Sequence, residues 1–209
     1  MITMNNNPMI VSKDQPYGIQ LAITRETLID TEIYSKFIYN CENTFRRSLF
    51  YKEYKSSLYN KGLTHDQLMA GITSEMVDLE LHHHFPTLKQ ATIMICEHLL
   101  NVKGCITTFE VINELQEAHR RNEMGIVFLS ATNHQNYHSN EGTTFISLKQ
   151  CIGEPFEFIT KFCDGITMDV AFKLLLQLKQ EEQYGESFTP AMAKARDEII
   201  YWNDRNSVG

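Results

Sequence analysis

The sequence lacks any apolar run long enough to cross a membrane. Its longest apolar stretches, residues 91–96 and 126–129, are far shorter than the roughly 20 residues that a transmembrane helix needs. It also lacks a charged start followed by an apolar block, the pattern of a secretory signal. We therefore expect a cytoplasmic protein that makes no membrane contact.

Paired cysteines are also missing. The five cysteines are an odd number and none forms a CxxC pair. They are Cys41, Cys96, Cys105, Cys151 and Cys163. Spacing of this kind indicates reduced thiols, and it argues against both a disulfide framework and a cysteine-based zinc site.

The sequence has no excess of positive charge, because its formal net charge is −7. Proteins that grip nucleic acid are usually basic where they touch it. Residues 45–62 are a local exception, since cations alternate there with aromatic side chains. This stretch predicts nucleic-acid contact through Arg46, Arg47, Lys52 and Lys55, although aromatic residues at helical spacing are more often part of a core. The acidic C-terminal quarter is either a solvated surface or a docking face for a protein partner.

Helical patterns dominate the chain. Apolar residues recur at helical spacing over residues 25–60, 88–103, 107–121, 166–183 and 189–205. Capping-box spacings at Thr64 to Gln67 and at Thr107 to Glu110 predict two helix starts, and Thr189 before Pro190 predicts a third. Period-two alternation over residues 76–85 and the apolar run 125–130 predict two strands. A short helix should follow from Thr132 to Gly142.

Histidines cluster around these two strands. The first strand ends in His82, His83 and His84, and the short helix carries His134 and His138. Side chains four residues apart lie on the same helical face, so the last two imidazoles can clasp one divalent ion. On a strand, His82 and His84 point one way and His83 the other. Lone histidines at positions 65, 98 and 119 are expected to be structural.

The order of these elements resembles that of the HNH, or ββα-metal, nucleases. It consists of a strand that ends in adjacent histidines, a second strand, and a helix with His-x-x-x-His. The motifs are "ELHHHFP" and "GIVFLSATNHQNYH", and similar motifs occur in nuclease colicins and in phage HNH endonucleases. The resemblance covers roughly residues 78–145. It implies a predominantly helical α+β fold with a small ββα-metal core flanked and interrupted by α-helices. We expect a helical region at 1–77, the core at 78–145 with a helical insertion at about 87–122, and a helical region at 146–209.

The resemblance also implies a chemistry, namely metal-dependent hydrolysis of phosphodiester bonds in DNA. By motif position, His82, His134 and His138 would bind the metal, and His83 would be the general base. Mg²⁺ or Mn²⁺ would support activity, while three imidazoles also suit Zn²⁺ or Ni²⁺. The resemblance also gives expected roles to neighbouring residues. Glu80 would hold a ligand imidazole, and Arg120 and Arg121 would hold the phosphate. His84 would be a supporting or structural residue, and Asn122 lies three residues before the position of the family's asparagine.

Two other functions stay open. The family's middle asparagine would fall near Gly125, and the two histidine clusters are far apart in the sequence. Together with the net acidity, these departures suit a degenerate HNH protein of phage type, in the host cytoplasm, that acts as a binding or assembly subunit. The histidines could instead form a purely structural metal clasp in a helical interaction protein. The sequence leaves the oligomeric state open.

Overall fold

A computed structural model describes residues 22–69, 71–139, 145–184 and 188–207. Within these residues the chain forms eight α-helices and two antiparallel two-stranded sheets. This confirms the predicted α+β, predominantly helical fold class. The strands are β1 (Ala22–Thr24), β2 (Leu79–Phe85), β3 (Cys105–Thr107) and β4 (Gly125–Ser130). The helices are α1 (Thr31–Arg47), α2 (Leu49–Asn60), α3 (Leu88–Lys103), α4 (Thr108–Arg120), α5 (Ala131–Ser139), α6 (Pro155–Lys161), α7 (Met168–Gln183) and α8 (Pro190–Ser207).

The predicted helical stretch at 25–60 is two helices rather than one. Ser48 separates them with extended backbone, and its hydroxyl accepts a hydrogen bond from the Tyr51 N–H, which caps α2. Ser48 also donates to the Phe45 carbonyl, so one side chain satisfies groups of both helix ends. The chain therefore turns at Ser48 without losing hydrogen bonds.

The prediction of a helix start at Thr64 is wrong, since the described residues 64–69 contain no helix. The Gln67 N–H donates to the Phe128 carbonyl, and the Gln67 side-chain oxygen accepts from the Phe128 N–H. Gln67 thus binds both backbone groups of Phe128, one through its own backbone and one through its side chain, instead of closing a capping box. Pairing with a buried strand overrides the local signal.

The predicted strand pair forms the ribbon that carries the histidines. β2 and β4 are antiparallel, with Leu79 opposite Ser130 and His83 opposite Ile126, and a register shift follows between His83 and Phe85. Every residue of β4 is buried. The insertion between the two strands contains α3, the short β3 and α4, and β3 pairs with β1 in the second sheet, which the sequence patterns did not predict.

Helices α3 and α4 pack around this ribbon. Both begin with capping boxes, at Thr87 with Gln90 and at Thr107 with Glu110, and the second was predicted. The main hydrophobic core draws on α1, α3, α4, β2, β4, α7 and α8 together. Among the described residues, no helix has the length and apolarity needed to cross a membrane.

Candidate metal centre

The alternation of β2 separates its three histidines as predicted. His82 faces α5, while His83 points to the opposite side of the ribbon, where it meets His119 of α4. His84 shares the α5 side and contacts Tyr137. The two faces of one strand therefore hold two different histidine clusters.

Three imidazoles converge between β2 and α5. The Nδ1 atom of His82 lies 3.0 Å from Nε2 of His134, and Nε2 of His138 lies 3.1 Å from that same His134 nitrogen. All three nitrogens lie within 4.8 Å of one another. Nitrogens bound to one zinc ion at about 2.0–2.1 Å stand roughly 3.3 Å apart in a tetrahedral arrangement. Small side-chain rotations would therefore place all three around one ion.

Glu80 fixes the tautomer of the central imidazole. Its Oε2 atom lies 2.5 Å from Nδ1 of His134, so Nδ1 donates a proton and Nε2 presents its lone pair to the cluster. A carboxylate that orients a ligand histidine in this way is typical of protein metal sites. Glu80 is on β2 and its side chain is half-exposed, which leaves one side of the cluster open to solvent.

The surroundings keep His82 and His138 in the form that binds cations. Burial and, to a smaller extent, the neighbouring imidazoles lower the pKa of His82 to about 3. Burial and His134 also lower the pKa of His138. Neutral imidazoles have the free lone pairs that a metal requires, so at neutral pH the donor set fits a divalent transition-metal ion.

A buried carboxylate, Asp66, fastens α5 to the end of β4. Its oxygens accept from the Ser130 N–H at 2.7 Å and from the Asn133 side-chain amide at 2.8 Å, and also from the N–H groups of Leu68 and Met69. Burial alone would raise the pKa of Asp66, but these hydrogen bonds outweigh it and the pKa is lowered. Sequence reasoning missed this residue, since nothing local distinguishes a buried aspartate from a surface one.

Tyr137 is a second residue that the sequence analysis missed. It lies three positions after His134 and thus on the same side of α5, a spacing that could have identified it. Its hydroxyl lies 3.1 Å from Nδ1 of His84, whose Nε2 donates to the Ile146 carbonyl at 2.9 Å. Its ring packs 5.1 Å from that of His82. Tyr137 therefore covers the inner side of the cluster.

His83 lies away from this cluster. It is 2% exposed, its Nε2 lies 2.9 Å from Nε2 of His119, and its ring stacks on Tyr51. His119 in turn donates from Nδ1 to the Leu115 carbonyl. The structure therefore brings His82, His134 and His138 together but leaves the predicted base on the other face of β2, shielded from water.

Comparison with known proteins identifies the family. The model of the Bacteriophage G278-like virion protein family matches residues 2–201. The chain belongs to this family. No curated protein and no solved structure matches it. Membership of a G278-like virion family confirms that this is a phage protein, as the motifs had predicted.

In this G278-like chain the predicted phosphate-binding residues lie with His119 rather than with the metal cluster. Arg120 and Asn122 line a groove of 660 Å³ that includes His119, and Arg120 also pairs with Glu117 and packs over Phe50. Arg121 is held by the Glu123 carboxylate at 2.6 Å. The structure does not bring these three side chains to the three-histidine cluster.

The basic aromatic stretch is largely part of the fold of this G278-like protein. Lys55 and Tyr59 both donate to the Leu79 carbonyl, at 2.6 and 2.9 Å, and so fix the start of β2. The aromatic residues of this stretch pack against the core: Phe50, Tyr51, Tyr54 and Tyr59. Arg46, Arg47 and Lys52 are exposed, and their contact with nucleic acid stays a prediction.

Proposed function

We propose that His82, His134 and His138 bind one divalent transition-metal ion, and that this ion fastens α5 to the β2–β4 ribbon of a phage assembly subunit. The observation that supports this most is the set of three nitrogen atoms converging with His134 held by Glu80 in the ligand tautomer. Such a set has no need of a fourth protein ligand, because water or a partner group can complete the coordination.

The attachment of α5 explains why an ion would be useful there. None of the residues of α5 is buried. Apart from the ring of Tyr137, which packs against Val127, Leu129 and Ile146, the helix is attached to the ribbon by polar contacts. These are chiefly those of Asp66, Glu80 and the Tyr137 hydroxyl. A nine-residue helix without a buried apolar side is marginal by itself in water. A metal bonded to one nitrogen of β2 and two of α5 would add a direct link between the helix and the ribbon.

Three imidazoles favour a particular class of metal. Nitrogen ligands suit Zn²⁺, Ni²⁺, Cu²⁺ and Co²⁺, whereas Mg²⁺ and Mn²⁺ prefer oxygen. We therefore propose Zn²⁺ or Ni²⁺ as the bound ion. The G278-like family description supports a place in the phage particle after synthesis in the host cytoplasm. In the cytoplasm the five cysteines would stay reduced, and none of them forms a disulfide in the structure.

A metal-dependent endonuclease acting on DNA is the second candidate. In its favour, two antiparallel strands followed by a helix carry the three ligands, and one side of the cluster is open to solvent, as in catalytic sites. Against it, His83 does not reach the cluster. A nuclease built on this site would need another base, so we rank it below the assembly subunit.

Metal analysis tests the proposal directly. We expect the purified protein, stripped with EDTA and titrated with Zn²⁺ in a calorimeter, to bind one equivalent, and the His134→Ala variant to lose that binding. His98→Ala is the matched control, because His98 pairs with Asp164 outside the cluster. Equal zinc binding by the parent and His134→Ala would overturn the site.

A plasmid-nicking assay separates the two candidates. With Mg²⁺, Mn²⁺, Ni²⁺ or Zn²⁺, we expect no cleavage above that of His138→Ala. Cleavage by the parent that disappears in His138→Ala and persists in His83→Ala would establish the nuclease instead and assign its base to a residue other than His83.

A further inference from the structure

Helix α7 presents one face to the protein and leaves the opposite face without a partner among the described residues. Its buried side consists of Val170, Ala171, Leu174 and Leu178, which pack toward α3 and α8. The opposite side carries Met168, Phe172 and Leu176, each four residues from the next, so they form one stripe along the helix. Their exposed fractions are 58%, 67% and 46%.

This stripe needs an explanation because it is contiguous. Single exposed apolar residues are ordinary on protein surfaces, but neighbouring ones on one helix face are typical of contact sites. The family description names a virion protein, so we expect contacts with other copies or other subunits of a particle. The question is which partner would fit this helix face.

Charge beside the stripe favours a second copy of the same chain. Asp169 and Lys173 flank Phe172 on one side and form an ion pair at 2.7 Å, with both side chains more than half exposed. If two copies of α7 cross antiparallel at Phe172, each Asp169 lies two residues, about 3 Å along the helix axis, from Lys173 of the other copy and on the same side of the contact. The internal ion pair then becomes a network of four alternating charges around the two-fold axis.

The same arrangement matches charge farther along the helix. A groove of 480 Å³ at the start of α7 is lined by three carboxylates, those of Glu97, Asp164 and Asp169, with Arg25 paired to Glu97. Lys179 is exposed about two turns beyond Phe172. In the antiparallel pair, Lys179 of one copy reaches the acidic groove of the other.

We infer that two copies of the chain associate through an antiparallel contact of their α7 helices. Phe172 packs against Phe172 of the second copy, and Met168 lies level with Leu176 of the second copy. Three partly exposed side chains supply roughly 300–400 Å² per copy, about half of a standard interface. The contact is therefore weak in dilute solution and strengthens at the high local concentration of an assembling particle.

Sedimentation of the full chain over a wide range of concentration tests this contact, with EDTA present so that no metal bridges the molecules. We expect a monomer–dimer equilibrium that Phe172→Glu weakens by at least about tenfold. Phe109→Glu is the matched control, because Phe109 is 58% exposed on α4 and outside the stripe. Circular dichroism would show that both variants keep their helices.

A charge exchange tests the register. Asp169→Lys alone places cations together and should weaken the dimer, whereas Asp169→Lys combined with Lys173→Asp restores every pair and should recover it. A chain that is monomeric at all concentrations, or a dimer that Phe109→Glu disrupts and Phe172→Glu does not, overturns the inference. A dimer that the double exchange fails to recover overturns the register.

Discussion

The role of each histidine here depends on the group at its second nitrogen. His134 is held by a carboxylate and offers a lone pair, whereas His84 donates to the Ile146 carbonyl and is enclosed by Tyr137. His83 is bound by another imidazole, that of His119, inside the core. The adjacent residues His82, His83 and His84 thus have three different environments. Of these three, only His82 joins the candidate metal centre.

Glu80 should tune metal affinity without being a ligand. We expect Glu80→Gln to lower zinc affinity by about tenfold to a hundredfold, because the neutral amide orients His134 less firmly and removes a negative charge near the ion. Calorimetric titration measures the change, with Glu75→Gln, an exposed position before β2, as the control. Unchanged affinity in Glu80→Gln would show that the contact with His134 has no part in binding.

Asp66 should matter for stability. Its carboxylate accepts four hydrogen bonds while only 1% exposed, so Asp66→Asn turns an acceptor into a donor that faces other donors. We expect a loss of about 1–3 kcal/mol in the free energy of unfolding, measured by urea denaturation. Asp78→Asn, at an exposed site, should stay near the parent value. Equal losses in both variants would mean that the buried network contributes nothing.

At the scale of elements, the sequence predicted the ribbon and the helix that follows it because their signals are local. Alternation around Leu79 and Leu81 and the apolar run of β4 need no distant partner to be recognised. Gln67 pairs with Phe128 across a sequence separation of 61 residues, and His83 pairs with His119 across 36 residues. No local pattern reveals contacts between residues so far apart. The convergence of His82, His134 and His138 could therefore be predicted, while the enclosure of His83 could not.

Helix α5 should depend on metal more than any other described helix. It lacks buried residues, whereas α3 and α4 have several each. We expect the amides of Ala131–Ser139 to exchange hydrogen rapidly in EDTA and to become protected on adding Zn²⁺, while α3 stays unchanged. Mass spectrometry of peptides after exchange measures this. Equal exchange rates across α5 with and without Zn²⁺ would argue against a metal ion that attaches α5 to the ribbon.

At the scale of the whole molecule, burial of neutral histidines ties stability to pH. Burial lowers the pKa of His84 and of His119 to about 4, partly offset by their bonds to backbone carbonyls, and lowers that of His83 well below its usual value. In the unfolded chain these groups take up protons near pH 6.5. Between pH 6.5 and about 4 the unfolded state therefore binds more protons than the folded state.

The metal-free protein should consequently lose stability as the pH falls below about 6.5, by up to about 1.4 kcal/mol per pH unit for each such histidine. Urea denaturation in EDTA at a series of pH values measures the slope. His119 is 1% exposed and takes up one of these protons on unfolding, so His119→Gln should reduce the slope even if it lowers stability at every pH. His65→Gln, at an exposed position, should leave the slope as it is. If the slope in His119→Gln equals that of the parent, the buried pair of His83 and His119 does not cause the acid sensitivity. Other titrating groups would then have to account for it.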